Sequence, residues 1–148
     1  MPKKKKINQN YILLASDHAG YKLKELVKKY LLNKRKLILD LGPRNEDSVD
    51  YPYYAHLLAK KIKTKNQFGI LICGSGMGMN ITANRHKNAR AALCYNVKST
   101  KLSRQHNNAN IISIGARLTK KNVALKCINI FLKTKFKGGR HLRRVNKI

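Results

Sequence analysis

Cys73 is the residue with the clearest potential for chemistry in this sequence. It ends the apolar run of residues 68–73 and is followed by Gly74-Ser75-Gly76-Met77-Gly78. Free backbone N–H groups and a helix N-terminus beside a thiol favour the thiolate, which can act as a base or a nucleophile. The same N–H groups suit an oxyanion or a phosphate, although the GxGxG spacing is only a weak dinucleotide signal. The alternative is a buried small hydrophobe, which we expect of Cys94 and Cys127.

Polar residues that follow other apolar runs form a second group of candidates. Asp17 and His18 follow residues 11–15, Asp50 and Tyr51 lie in the loop after residues 37–39, and Arg117 follows residues 111–114. Because the carboxyl ends of parallel strands share one edge of a sheet, we expect these residues to converge there. His106 and Asn107 instead end a predicted helix. They belong at the opposite edge unless a loop or a second subunit brings them over.

The C-terminal segment Gly138-Gly139-Arg140-His141, with Arg143 and Arg144 behind it, is a further candidate site. Arginine forks match phosphate oxygens, and a Gly-Gly entry could let them close over a ligand. A basic, frayed C-terminus explains the segment equally well. His56 and His86 show no evident partners, and we expect them to be surface or helix-packing residues.

Five apolar runs alternate with amphipathic patterns along the chain, and they must position these candidates. The predicted strands are residues 11–15, 37–39, 68–73, 89–94 and 111–114. The predicted helices cover about residues 23–31, 51–62, 79–84, 98–106 and 119–134, with Asp50 and Thr119 as N-caps. The alternation predicts a Rossmann-like α/β fold, a three-layer αβα sandwich with a five-stranded parallel sheet. We expect one domain over residues 11–148 with a C-terminal arm, after a basic, disordered leader at residues 1–10.

The composition excludes several classes of protein. The 148 residues include 33 Lys and Arg against 6 Asp and Glu, a formal charge of +27. No run approaches the roughly 20 apolar residues of a membrane span, and no secretory signal is evident, so we expect a cytoplasmic protein. Three cysteines without CxxC spacing predict free thiols rather than disulfides or a zinc site. The charge could indicate nucleic-acid binding, but the lysines are scattered, and drift toward A/T-rich codons is the favoured explanation.

Six segments together resemble one known family over residues 12–145. They are Ser16-Asp17-His18-Ala19-Gly20, Asp50-Tyr51-Pro52, Ile70-Leu71-Ile72-Cys73-Gly74-Ser75-Gly76-Met77-Gly78, Ser103-Arg104-Gln105-His106-Asn107-Asn108, Gly115-Ala116-Arg117, and Gly138-Gly139-Arg140-His141 with Arg144. Their order and spacing resemble the type B ribose-5-phosphate isomerases, a family that includes the galactose-6-phosphate isomerase subunits.

The resemblance implies that the chain interconverts ribose 5-phosphate and ribulose 5-phosphate through an enediolate, without metal or cofactor. It implies that Cys73 is the base, that His106 is the acid/base that opens the sugar ring, and that the amides of Gly74, Ser75, Gly76, Met77 and Gly78 stabilise the enediolate. It further implies substrate contacts from Asp17, His18, Tyr51, Asn107, Arg117, Arg140 and Arg144, with the arginines on the phosphate.

The resemblance also implies a homodimer or homotetramer whose active sites combine residues of two subunits. Two alternatives stay open at this point. One is the same chemistry on a hexose 6-phosphate such as galactose or allose 6-phosphate. The other, from a different class, is a basic nucleic-acid-binding α/β module.

Overall fold

The computed structural model describes residues 10–64 and 66–148. Its strands are β1 (Ile12–Ser16), β2 (Ile38–Asp40), β3 (Gly69–Cys73), β4 (Ala91–Leu93) and β5 (Ile111–Gly115). They form one parallel sheet in the order β2-β1-β3-β5-β4. The predicted leader, residues 1–10, lies outside the described residues except for Asn10.

Helices cover both faces of the sheet. They are α1 (Tyr21–Asn33), α2 (Tyr51–Lys61), α3 (Met77–Ala83), α4 (Val97–Asn107), α5 (Lys121–Lys133) and α6 (Arg140–Val145). Helices α1 and α5 pack on one face, with α4 against α5, while α2 and α3 pack on the other. The predicted three-layer αβα sandwich with a five-stranded parallel sheet is confirmed.

The three central strands are buried along their whole length, as expected where helices cover a parallel sheet on both faces. Successive side chains of each strand enter opposite cores. Ile70 and Ile72 join the core beneath α1 and α5, whereas Leu71 and Cys73 join the core beneath α2 and α3. The thiol of Cys73 therefore lies on the α2 and α3 side of the sheet.

The chain order reverses between β1 and β3, because β2 lies on one side of β1 and all later strands lie on the other. In open parallel sheets, ligands bind outside the carboxyl ends of the strands at such a switch point. Asp17 follows β1 and Cys73 ends β3. The fold thus places these two predicted residues at its expected ligand-binding edge.

Three local expectations differ from the structure. Lys120, not Thr119, is the N-cap of α5, and Thr119 has a buried hydroxyl with no hydrogen-bond partner among the described residues. Asp50 is the N-cap of α2, but its side chain makes no capping hydrogen bond. Helix α6 was not expected, because six residues are too few to show helical periodicity.

Candidate active site

Cys73 meets the glycine loop that follows it through a direct hydrogen bond. The thiol is 4% exposed, and Sγ accepts the N–H of Gly76 at 3.2 Å. Gly76 has a φ of +79°, and a Cβ there would lie 2.9 Å from the backbone nitrogen of Gly115. Only glycine permits both this φ and this approach to β5. The loop thus aims a hydrogen-bond donor at the sulfur, a geometry that suits a base at Cys73.

The loop amides differ in what they bind. The N–H of Met77 donates to Oγ of Ser75 at 3.2 Å, and that of Gly76 is taken by the sulfur. The N–H groups of Gly74 and Ser75 donate to no acceptor among the described residues. The N–H of Gly78, in the first turn of α3, likewise donates to no acceptor among the described residues. Three of the five predicted amide donors, two of them adjacent, are therefore available to stabilise an oxyanion.

Asp17 and His18 are held at the end of β1 by backbone contacts. The N–H of Asp17 donates to the carbonyl of Ile72, and its Oδ1 accepts the N–H of Gly20 at 2.9 Å. Nδ1 of His18 accepts the N–H of Val49 at 3.2 Å. Because Nδ1 is an acceptor, Nε2 of the neutral ring carries the proton and presents a donor.

Tyr51 and Arg117 cover the glycine loop from two sides. A Cβ on Gly78 would lie 2.5 Å from Cε2 of Tyr51, so the tyrosine ring lies directly on that glycine. A Cβ on Gly74 would lie 3.0 Å from Nη1 of Arg117. The aromatic ring and the guanidinium therefore occupy space that the missing side chains leave open.

These residues form what we call the loop half of the site: Asp17, His18, Tyr51, residues 73–78 and Arg117. All of them lie at the carboxyl edge of the sheet, as expected from the sequence. Together they supply a thiol, unpartnered amide donors, a carboxylate, an imidazole N–H and one cation. This set can move a proton on carbon and stabilise the negative charge that results.

His106 and Asn107 lie at the opposite edge of the sheet. They end α4, which leads within four residues to Ile111 at the start of β5. Cys73 pairs with Gly115 at the far end of β5. Four residue steps along a strand span roughly 13 Å. This placement agrees with the expectation that the two residues belong at the opposite edge, and no loop of the described chain brings them over to Cys73.

The two residues line a cavity of about 510 Å³ together with Arg140, His141 and Arg144 from α6. We call these five residues the arm half. Arg140 and Arg144 are one helical turn apart, so they share a face of α6. All six acidic residues of the chain lie between Asp17 and Asp50. The charged residues that lie near the arm half in the sequence are therefore all basic, and their positive charge suits a phosphorylated ligand.

His141 was part of a predicted segment, but no role was predicted for it. Its ring stacks on that of His106, with centroids 4.2 Å apart and 11° between the planes. Burial and then the charge of His106 lower the pKa of His141, with Arg140 and Arg144 adding to the effect. Helix α6 produces this stack, and the sequence showed no periodic signal for that helix.

Arg104 connects the elements that carry the arm half. Its side chain is buried, Nε donates to the carbonyl of Thr134 at 3.1 Å, and Nη1 donates to Asn108 and Ala109. The N–H of Lys137 also donates to the carbonyl of Gln105 at 3.1 Å. These bonds join the end of α4 to the segment that leads into α6, so His106 and the C-terminal arginines are positioned together.

The loop half and the arm half make no contact with each other within one chain. Across residues 10–64 and 66–148, no hydrogen bond, ion pair or ring contact joins a residue of one half to a residue of the other. The sites predicted from the sequence are thus two separate clusters in the single chain.

The two histidines outside the site pack against each other. The sequence showed no evident partner for His56 or His86, but Nδ1 of His56 lies 2.6 Å from Nε2 of His86. Burial and the neighbouring His56 lower the pKa of His86. Cys94 and Cys127 are buried free thiols, as expected, and burial raises the pKa of Cys94.

Two other kinds of feature are absent from the described residues. Nowhere in that part of the chain do three His, Cys, Asp or Glu side chains group as ligands for a metal ion. In the same residues, none of the helices combines the length and the apolar character that crossing a membrane requires.

Comparisons with known proteins give consistent matches. The family model described as Ribose/Galactose Isomerase matches residues 12–148. A ribose 5-phosphate isomerase structure from Thermotoga maritima is 48% identical, with a TM-score of 0.89, covering 93% of this chain and 95% of that one. The ribose-5-phosphate isomerase B structure from Mycoplasma genitalium, with bound ribulose-5-phosphate, is 41% identical, with a TM-score of 0.88, covering 93% and 92%. Ribose-5-phosphate isomerase B of Escherichia coli is 35% identical over 138 residues, covering 93% of each chain.

Proposed function

The chain belongs to the ribose/galactose isomerase family, and we propose that it interconverts ribose 5-phosphate and ribulose 5-phosphate with Cys73 as the base. One observation carries the assignment of the base. The thiol of Cys73 accepts the N–H of Gly76 beside two adjacent amides, those of Gly74 and Ser75, that have no partner among the described residues. This places a proton acceptor next to donors for an oxyanion.

The proton transfers follow from this arrangement. The thiolate of Cys73 removes the proton from C2 of the open-chain aldose, and the electrons move toward the oxygen on C1. The N–H groups of Gly74 and Ser75 stabilise the resulting enediolate. The thiol then returns the proton to C1, while the proton of the C2 hydroxyl passes to the oxygen on C1. The product is the ketose, and no atom is gained or lost.

The remaining residues bind and open the sugar. His106 moves a proton from the anomeric hydroxyl to the ring oxygen, because imidazoles exchange protons readily near neutral pH. Asn107, Asp17 and His18 bind sugar hydroxyls. Tyr51 lines the pocket. The guanidinium groups of Arg117, Arg140 and Arg144 bind the phosphate and its neighbouring oxygens.

We further propose that the enzyme is a homodimer in which the loop half of one subunit faces the arm half of the other. Several large apolar side chains near the loop half are more than half exposed: Tyr53, Met77, Ile81 and Tyr95. Met77 and Ile81 lie one turn apart on α3, so they form a stripe on one side of the helix. A two-fold axis across α3 would bury this stripe and pair opposite edges of the two sheets.

Two features bear on where the enzyme acts and on its sugar. The cysteines of the described chain are unpaired. Free thiols are typical of a reducing compartment, so we place the enzyme in the cytoplasm. The family description names galactose as well as ribose. The hexose 6-phosphates of galactose and allose are therefore the substrates to compare.

The test is an isomerisation assay with the purified protein and an identically purified Cys73→Ala variant. Both are measured with ribose 5-phosphate, allose 6-phosphate and galactose 6-phosphate, in the presence of a chelator. We expect ribose 5-phosphate to have the highest kcat/KM, and we expect the variant to have a kcat about 10²–10⁴-fold lower while its circular dichroism is unchanged. Faster turnover of a hexose 6-phosphate would replace the pentose assignment. Equal turnover by the folded variant would contradict the assignment of the base.

A further inference from the structure

Ser113 is a polar residue at the centre of the sheet. It lies in the middle of β5, fully buried, in register with Leu71 of β3 and Leu93 of β4. The strand positions on either side of it are isoleucines. A buried hydroxyl costs free energy unless it forms a hydrogen bond. The presence of serine here points to a specific partner.

That partner is the glycine loop. Oγ of Ser113 donates to the carbonyl of Gly76 at 2.6 Å, across 37 positions of sequence. The same carbonyl accepts the N–H of Asn80 at 3.2 Å, in the first turn of α3. The carbonyl thus keeps one backbone partner even without the serine, and removing the hydroxyl should not unfold the loop.

The orientation of Gly76 matters because its N–H donates to Sγ of Cys73 at 3.2 Å. Glycine has a wide choice of φ and ψ, so its own backbone does little to hold that N–H on the sulfur. The hydroxyl of Ser113 anchors the carbonyl on the other side of the same Cα. The chain of contacts runs from Ser113 through Gly76 to Cys73.

We propose that Ser113 is a positioning residue for proton transfer, which holds Gly76 so that its N–H stabilises the thiolate of Cys73. The proposal rests on the proposed function, in which Cys73 is the base. A hydrogen bond to the charged form of a group favours that form. Loss of the hydroxyl should therefore weaken this stabilisation of Cys73 without removing any contact to the substrate.

The test compares Ser113→Ala with the wild type over a range of pH. At pH 7 we expect a kcat about tenfold lower with KM nearly unchanged, because the loss of one hydrogen bond that acts on the reacting group lowers turnover by roughly that factor and leaves substrate contacts intact. The deficit in kcat should shrink as the pH rises. Ser113→Thr keeps a hydroxyl and should restore the wild-type profile.

Thr82→Val is the matched control. Oγ1 of Thr82 donates to the carbonyl of Gly78 at 2.8 Å, a bond of the same kind in the same region, but one without a link to Gly76. We expect its pH profile to match the wild type. A kcat deficit in Ser113→Ala that is equal at every pH, or that Thr82→Val reproduces, would overturn the proposal.

A second measurement does not depend on turnover. The rate of alkylation of Cys73 by iodoacetamide at pH 7 is followed by mass spectrometry of its own peptide, which separates it from Cys94 and Cys127, buried like Cys73. That rate should be lower in Ser113→Ala than in the wild type, because the donor to the sulfur is less well held. An equal rate in the two proteins would overturn the role of Ser113. Failure of the proposed function would instead appear as wild-type turnover in Cys73→Ala.

Discussion

The loop half and the arm half of the site are built in different ways. The loop half is held by the backbone of the sheet, and at Gly76 and Gly115 an added Cβ would meet backbone atoms at 2.9 Å or less. The arm half is held by side chains at helix ends, with Arg104 binding the carbonyl of Thr134. At Gly138, which begins the approach to α6, an added Cβ would meet nothing within 4 Å.

This difference matches the chemistry that each half performs in the proposed reaction. Proton transfer on carbon needs a base and oxyanion donors held to within a fraction of an ångström, and packed backbone provides that precision. Phosphate binding by arginines depends on charge and tolerates longer, flexible side chains. We therefore expect the loop half to be intolerant of change and the arm half to respond gradually.

The largest expected effect tests whether the two halves come from different subunits. Cys73→Ala and His106→Ala should each lower kcat about 10²–10⁴-fold, as the loss of a general acid or base does. When the two inactive variants are unfolded and refolded together, a mixed dimer contains one site with both residues intact. Random pairing should therefore recover about a quarter of the wild-type activity.

The assay is turnover of ribose 5-phosphate after refolding, with each variant refolded alone as the control. Mass spectrometry of intact dimers confirms that mixed pairs are present. Mixed pairs without recovered activity would show that both halves act within one subunit.

The next effect compares Gly76→Ala with Gly138→Ala. Both residues have positive φ, +79° and +65°, so alanine is strained at either position. At Gly76 the added Cβ also meets the backbone of β5, and we expect a loss of about 3 kcal/mol or more in the free energy of unfolding. At Gly138 only the strain of about 1 kcal/mol applies. Urea denaturation measures the free energy of unfolding of both variants. Equal losses of stability in the two variants would contradict the proposed difference between the loop half and the arm half.

A smaller effect is expected from Arg140→Ala in the arm half. Loss of one charged hydrogen-bond donor to the phosphate should raise KM about 10- to 100-fold with a lesser change in kcat. Arg143→Ala is the matched control, because Arg143 is exposed on the same helix and does not line the cavity of the arm half. A similar rise in KM for both variants would attribute the effect to general surface charge.

The smallest effect concerns an ion-pair cluster at the end of β2, outside both halves of the site. The carboxylate of Asp40 accepts hydrogen bonds from Lys24, Lys28 and the N–H of Gly42, where the chain leaves β2. Burial acts to raise the pKa of Asp40, but the bonds from Lys24 and Lys28 outweigh it and lower the pKa. The stabilisation of the fold by the Asp40 carboxylate is therefore fully present above about 3.9, the pKa of an aspartate in the unfolded chain. It is lost as the pH falls through the lower pKa that Asp40 has in the folded protein.

Asp40→Asn should lower the free energy of unfolding by about 1–2 kcal/mol at pH 7, since Asn retains an acceptor but not the charge. The difference in the free energy of unfolding between the variant and the wild type should be smaller at a pH of about 3. Urea denaturation of both proteins at the two pH values measures this difference. A difference of the same size at both would contradict the role of the carboxylate charge.

Much of the fold was predictable because its signals are local. The apolar run that ends at Cys73 and the amphipathic pattern after Gly20 each extend over only a few residues. The hydrophobic periodicity of the sequence therefore identifies the strand and the helix directly. Helix α6 and the N-cap at Lys120 were missed, since a six-residue helix and a one-residue shift leave no periodic signal.

The contacts that complete the site are long-range. Ser113 meets Gly76 across 37 residues, His141 stacks on His106 from a separate helix, and His56 pairs with His86 across 30. Sequence spacing carries no information on such distances, because they depend on how strands and helices pack.

The sequence by itself determined the kinds of residue available: a thiol before a glycine loop, a histidine at a helix end and arginines after a Gly-Gly pair. It also determined the order of strands and helices, because periodicity and turn residues act over short distances. Only the tertiary structure decided which of these residues meet. The register of β3 with β5 brings Gly76 onto Ser113, and the course of α4 carries His106 to the opposite edge. Packing of a whole sheet sets those positions, so no local pattern could specify them.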